Sequence, residues 1–251
     1  MNKGKEQMRE KAQNHTEIVD KKFSEEIKKC IEGTNLYEMN FIRKEKAGKE
    51  ATFLLEESYT QDCVIRNSGS GKMAVLNFAS YRHPGGGFIN GAMAQEEALC
   101  HASFLYNILS KFSEYYEWNG NNYNKGLYLN RALYSPNVFF FSNDFDNHVI
   151  ADVITCAAPN RSVLLKDGRF SEKENEEALK DRIRFIRDIC DNEGVDVLIA
   201  GAFGCGVFAQ KPETVARFFR EYFSDTKVKK VIFAIPPDRN YAPFEREFCI
   251  K

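Results

Sequence analysis

Residues 73–91 read MAVLNFASYRHPGGGFING, and the order of the two halves decides the fold. The first half, Met73 to Ala79, is a short apolar run without alternation. Such a run reads as a strand buried on both faces. The second half is a loop with three consecutive glycines, Gly85, Gly86 and Gly87, followed by Asn90 and Gly91. The same order recurs at 195–208, VDVLIAGAFGCGVF: an apolar strand, then a Gly-rich loop. There the helix that follows runs from Pro212 to Phe223, with proline at a first helical position that needs no N–H. Strands of this kind, alternating with helices, make a mainly parallel or mixed sheet covered on both faces. Ligands in such sheets bind at the carboxyl ends of strands. Both loops, 85–91 and 201–206, fall there.

Working outward, strands are expected at Ala51–Leu55, Cys63–Arg66, Val138–Phe141, Val149–Ala158 and 227–235. A helix is expected from Met93 to Leu109, with Ala98, Ala102, Leu105 and Leu109 on one face. Another spans Ser171 to Asp191, buries Leu179, Ile183, Ile186 and Cys190, and is stopped by Gly194. Residues 5–32 predict a helix with a narrow stripe of Ile18, Phe23, Ile27 and Ile31. That segment packs on the domain rather than folding alone. The Asn- and Tyr-rich stretch 115–130 reads as a loop region and a candidate lining of the ligand cleft. No internal repeat or linker divides the 251 residues, so one domain is expected.

Composition narrows the function. A net charge of −1 argues against a surface for non-specific nucleic-acid binding. Lys227, Lys229 and Lys230 read as a solvated strand edge. The seven cysteines include no CxxC pair and several sit in apolar runs, as expected of reduced thiols in a cytoplasmic protein. No apolar h-region follows Met1 and no stretch nears 18 apolar residues, so neither a leader nor a membrane span is expected. His15, His83, His101 and His148 show no metal-ligand spacing. GSGK at 69–72 lacks the phosphate-loop spacing and precedes a strand.

The chemistry points to the two loops. Three glycines after a strand serve either a turn needing positive φ or a close approach to an anionic or sugar ligand. Gln95-Glu96-Glu97 opens the next helix, where carboxylates complement the helix dipole whatever else they do. Adjacent helical residues point about 100° apart, so Glu96 and Glu97 are not an opposed acid–base pair. One should move protons and the other hold a hydroxyl; the residues alone leave open which. The loop 201–208 suits a diphosphate cradled by backbone N–H groups, or a tight turn. Cys205 has no general base tied to it.

PGGG, seven residues, then QEE resembles the signature of bacterial-type poly(ADP-ribose) glycohydrolases, which are elaborated macrodomains. VLNFASYRHPGGGFINGAMAQEEALCHAS, YSPNVFFF, VITCAAPN and GAFGCGVFAQKPETVARFF resemble family segments in the same order. The resemblance covers roughly residues 50–245, and an N-terminal helical segment is also typical. It implies an α/β, macrodomain-like fold with a mixed, mostly parallel sheet between helices. Residues 1–48 would be a helical extension packed on the core, and 49–251 the macrodomain. Glu97 would be the acid/base and Glu96 would bond ribose hydroxyls. Gly85, Gly86, Gly87 and Asn90 would shape the distal-ribose pocket, and Gln95 would join the substrate-binding set. Gly204, Gly206 and Val207 would bind the diphosphate, and Phe208 would pack on ribose. No metal or cofactor is implied. The partner would be an ADP-ribose polymer or ADP-ribosylated macromolecule, met by a monomer. The rivals are a non-catalytic ADP-ribose reader, a hydrolase of another ADP-ribosyl linkage, and an unrelated nucleotide-binding enzyme.

Overall fold

Alternate residues of the strand at Met73–Phe78 enter opposite cores, which is what a sheet covered on both faces requires. Ala74 and Leu76 join one buried cluster, and Met73 and Val75 join the other. The computed structural model describes residues 3–142 and 144–249. The chain opens with α1 (Lys3–Lys22), α2 (Ser24–Gly33), β1 (Asn35–Tyr37), β2 (Thr52–Glu57) and α3 (Thr60–Arg66). It continues with β3 (Met73–Phe78), α4 (Gln95–Ala102), α5 (Leu105–Leu109), α6 (Ser113–Asn121), β4 (Ala132–Phe141) and β5 (His148–Cys156). It ends with α7 (Arg161–Asp167), α8 (Glu172–Glu193), β6 (Val197–Ala200), α9 (Pro212–Phe223), β7 (Lys230–Ile235) and α10 (Tyr241–Phe248).

Among the described residues the sheet has seven strands, in the order β1-β4-β5-β3-β6-β7-β2. The five from β5 to β2 are parallel, while β4 and β1 add on antiparallel. This is the mixed, mostly parallel α/β sheet expected. One face packs α8 and α9 through Leu179, Ile186, Val215 and Phe219. The other packs the N-terminal helices, α4 and α5 through Phe23, Ile27, Leu99 and Ile108. Parallel strands β3 and β6 are neighbours, so their carboxyl ends deliver both Gly-rich loops to one place.

Three expectations are corrected. Residues 63–66 are not a strand but the end of helix α3. Thr60, Cys63 and Val64 are its buried residues, spaced i, i+3, i+4, and the Asn67 amide caps it by donating to the Cys63 carbonyl at 2.9 Å. Packing and a cap outweigh the β-branched propensity of so short a run. The helix expected over 93–109 is two helices. Ser103 is extended between them, bridges to Phe140, and its hydroxyl donates to the Leu99 carbonyl while accepting from the Leu105 amide. In the N-terminal helices Val19 is buried and Ile18 is 45% exposed, because the chain breaks at Phe23 and shifts the stripe. A short strand, β1, also lies within residues 1–48.

Candidate active site

Two backbone devices set the position of α4, whose first residues are Gln95, Glu96 and Glu97. The first is Gln95. Strand β3 pairs with β6 only from Met73 to Val75, because β6 ends early to enter its loop. Beyond that point the Gln95 amide takes the place of a strand residue: it donates to the Leu76 carbonyl and accepts from the Phe78 amide, both at 2.9 Å. The second is Glu97, the third residue of the helix, whose carboxylate accepts from the Ala94 amide at 2.9 Å in the manner of a capping box. Its other oxygen accepts from the Gly87 amide at 2.8 Å.

Glu96 turns inward. It is 3% exposed, and its carboxyl accepts from the Ser80 amide at 2.7 Å and from the Asn77 side chain at 3.2 Å. Burial raises it to about 8 against an ordinary value of 4.5, and the charge of Glu97 adds to the rise. The two carboxyls therefore have unequal surroundings. They meet at Gly86, where a Cβ would lie 2.6 Å from Glu97 Oε1 and 2.9 Å from Glu96 Oε2. With φ at 61°, Gly86 also needs the left-handed region. Any other residue there would have to displace the two carboxyls and hold a strained backbone.

A cavity of about 250 Å³ opens over this corner. Glu96, Glu97, Gly86 and Gln95 line one side, and Gly204, Gly206, Val207 and Phe208 the other. A second cavity of about 520 Å³ adjoins it, sharing Phe78, Ala94, Gln95 and Gly206 and extending along Tyr59, Gln61 and Ile235. Not every expected residue reaches the walls. Gly85 packs against Tyr106 and Cys100, Gly87 serves through its amide on Glu97, and Asn90 is exposed at the far end of the loop. The Gln95 side chain is committed to β3. Cys205 is buried, which pushes its thiol up and leaves it a poor nucleophile. Asn77 and Ser80, which hold Glu96, carry no motif in the sequence. An Asn within an apolar strand was the available signal for Asn77. Among the described residues no group of three or more His, Cys, Asp or Glu is placed to hold a metal ion.

A model of the catalytic domain of microbial-type PARG, poly(ADP-ribose) glycohydrolase, matches residues 5–143. The chain belongs to that family. Solved structures of PARGs agree along most of the chain. The Thermomonospora curvata PARG is 27% identical, covers 97% of this chain and 100% of its own, and superposes with a TM-score of 0.85. The same enzyme has been solved with the inhibitor ADP-HPD. The Deinococcus radiodurans PARG, solved with ADP-ribose, is 30% identical over 89% of this chain and 97% of its own, with a TM-score of 0.81. No curated protein matches the chain.

Proposed function

We propose that this PARG-family glycohydrolase cleaves the ribose–ribose O-glycosidic bond of ADP-ribose polymers with Glu97 as acid and then base. The observation that carries the reading is the meeting of both Gly-rich loops and both glutamates on one cavity. ADP-ribose has two needs, an anion cradle and a sugar pocket. The amides of Gly204, Gly206 and Val207 suit the diphosphate, and Phe208 supplies an apolar wall for ribose. The corner under Gly86 suits the distal ribose, whose anomeric carbon is the reacting centre. The adjoining larger cavity suits adenosine, since it is mostly walled by apolar groups.

In this reading Glu97 protonates the glycosidic oxygen as its bond to the anomeric carbon breaks, so that the departing ribose leaves with a hydroxyl. The oxocarbenium-like centre is then met by water, which gives its proton back to Glu97. Glu96 holds ribose hydroxyls from below, fixed by Asn77 and Ser80. The ordered family resemblance assigns the proton to Glu97. A second reading exchanges the roles, and the raised pKa of Glu96 favours it, because a general acid works best when tuned towards neutrality. We further propose that residues 1–48 are an extension of the macrodomain, that the enzyme acts as a monomer, and that it works in the cytoplasm, where free buried cysteines such as Cys100 and Cys190 stay reduced.

Glu97→Gln and Glu96→Gln, assayed side by side on purified polymer, test this. Glu97→Gln is expected to bind ADP-ribose in calorimetry yet release it from polymer some 10²–10⁴-fold more slowly. If Glu97→Gln keeps parental turnover and Glu96→Gln loses it, the proton belongs to Glu96. A parent that binds ADP-ribose but releases none from polymer is a reader, or acts on another linkage.

A further inference from the structure

The polymer has two sides at the scissile bond, and the cavities above account for one. The unit that is released fills them. The leaving group is a ribose hydroxyl of the next unit, whose adenine hangs one sugar away from the breaking bond. That half must leave past the rim nearest Glu96 and Glu97.

An aromatic and cationic structure stands there. Ser80, whose amide touches Glu96, also accepts through its hydroxyl from the amides of Arg82 and His83, at 3.4 and 3.2 Å. This turn returns to the glycines through the Gly86 amide, which donates to the His83 carbonyl at 3.0 Å. Arg82 is thus held at the crest, two residues from one carboxyl's contact and four from Gly86. Its guanidinium lies over the ring of Tyr123, 5.2 Å from the centroid. Arg82 is exposed, Tyr123 is half-buried, and among the described residues Arg82 makes no ion pair. Tyr123 connects back to the cavity by a second route. Its ring packs edge-on against Tyr128 at 5.3 Å, and Tyr128 edge-on against Phe208 at 5.8 Å, which lines the cavity wall.

The support beneath is tied together by ring stacking and hydrogen bonds. Tyr128 stacks on Tyr81 at 4.1 Å. The Tyr81 hydroxyl donates to the Asn122 carbonyl and accepts from the Leu129 amide, and the Asn119 amide donates to the Tyr81 carbonyl. Asn124, Lys125 and Tyr128 all carry positive φ, between 45° and 60°. Non-glycine residues hold such angles at a cost that the surrounding structure must offset. The ties to Tyr81 keep the loop in this shape and its Tyr123 ring beside the cleft.

We propose that Arg82 and Tyr123 form the subsite for the leaving side of the polymer, stacking its adenine on the ring and meeting its diphosphate with the guanidinium. A guanidinium without an ion pair among the described residues, lying over a half-buried tyrosine ring, brings together the cation and the aromatic surface that sequence-tolerant binders of nucleotide chains use. The inference rests on the glycohydrolase reading above.

The test compares two substrates in Arg82→Ala, Tyr123→Ala and Tyr123→Trp. One is the polymer. The other is ADP-ribose carrying a small aryl leaving group at the distal anomeric carbon, which has nothing to place on the platform. For both alanine variants, kcat/KM on polymer is expected to fall on the order of ten-fold, as losing a stacked base does. Turnover of the aryl substrate and affinity for ADP-ribose stay at the parental level, and Tyr123→Trp recovers polymer cleavage. Unchanged polymer cleavage in both alanine variants overturns the subsite. So does an equal fall on the two substrates, which would mean that the pair only shapes the released unit's pocket. A parent that cleaves the aryl substrate but not polymer removes the functional reading itself, before any variant is compared.

Discussion

At the scale of single residues, Glu96 and Glu97 show how neighbours in sequence come to differ in chemistry. Helix phase sends one carboxyl under the sheet end and the other to the amides of Gly87 and Ala94. That the two carboxyls do not face each other is legible in the sequence, since about 100° of helical rotation forbids an opposed pair. Which one is buried deeper is not, because that depends on where α4 sits over β3. The burial of Glu96 has a consequence for stability. Its folded pKa is about 8 and its ordinary value is 4.5, so between these limits the folded protein holds a proton the unfolded chain gives up. The contribution is present in full below pH 4.5 and is lost as pH rises through about 8. Gln cannot ionise, so Glu96→Gln should gain in melting temperature relative to the parent as pH is raised from about 5 to about 9. A difference that stays level across that range would show that burial does not keep the carboxyl neutral.

At the scale of elements, the helices and strands with end signals are the ones legible in sequence. Helix α9 begins at Pro212 and α8 ends at Gly194 in the left-handed conformation, both as expected. Helix α3 is not legible, because seven residues are too few for periodicity to outweigh the strand propensity of Val64 and Ile65. The break at Ser103 depends on a bridge to Phe140, which no local pattern contains. Gln95, which the resemblance puts in the substrate-binding set, lines both cavities and is also bonded to β3 where β6 has departed. Gln95→Ala would leave a backbone donor and acceptor unpaired at the half-buried sheet end, at a cost of about 1–3 kcal/mol each. Denaturant unfolding should therefore show a loss of at least about 1 kcal/mol. The catalytic rate should fall with it, since α4 carries both glutamates, while affinity for ADP-ribose changes little. A variant of parental stability with weakened ADP-ribose binding would return Gln95 to the substrate.

At the scale of the molecule, the N-terminal helices act as backing for the glycine loop rather than as an appendage. A Cβ on Gly91 would lie 2.4 Å from the Lys5 carbonyl, so α1 runs directly against the loop. His15 of α1 bonds the Ser103 carbonyl at 2.7 Å, and the Asn107 amide donates to the Thr16 carbonyl at 3.1 Å. This seam is expected to weaken in acid. Both ring nitrogens of His101 are buried without a hydrogen-bond partner, and its ring packs edge-on against Phe88, 4.6 Å between centroids. Burial, with Lys11 and His15 facing it, lowers His101 to about 4 from 6.5, and burial lowers His15 as well. The fold therefore prefers the neutral ring. Its contribution is complete above pH 6.5 and is lost as pH falls towards about 4, when the unfolded chain takes up protons the folded one refuses. Parent and His101→Phe, melted at about pH 7 and about pH 5, should diverge: the parent loses more of its melting temperature on acidification, because Phe keeps the contact with Phe88 and has nothing to protonate. Polymer turnover should follow the same difference, since a loosened α1 withdraws support from the loop that holds Glu97. Equal acid losses in the two proteins would free His101 of this role and leave the carboxylates elsewhere to account for acid unfolding.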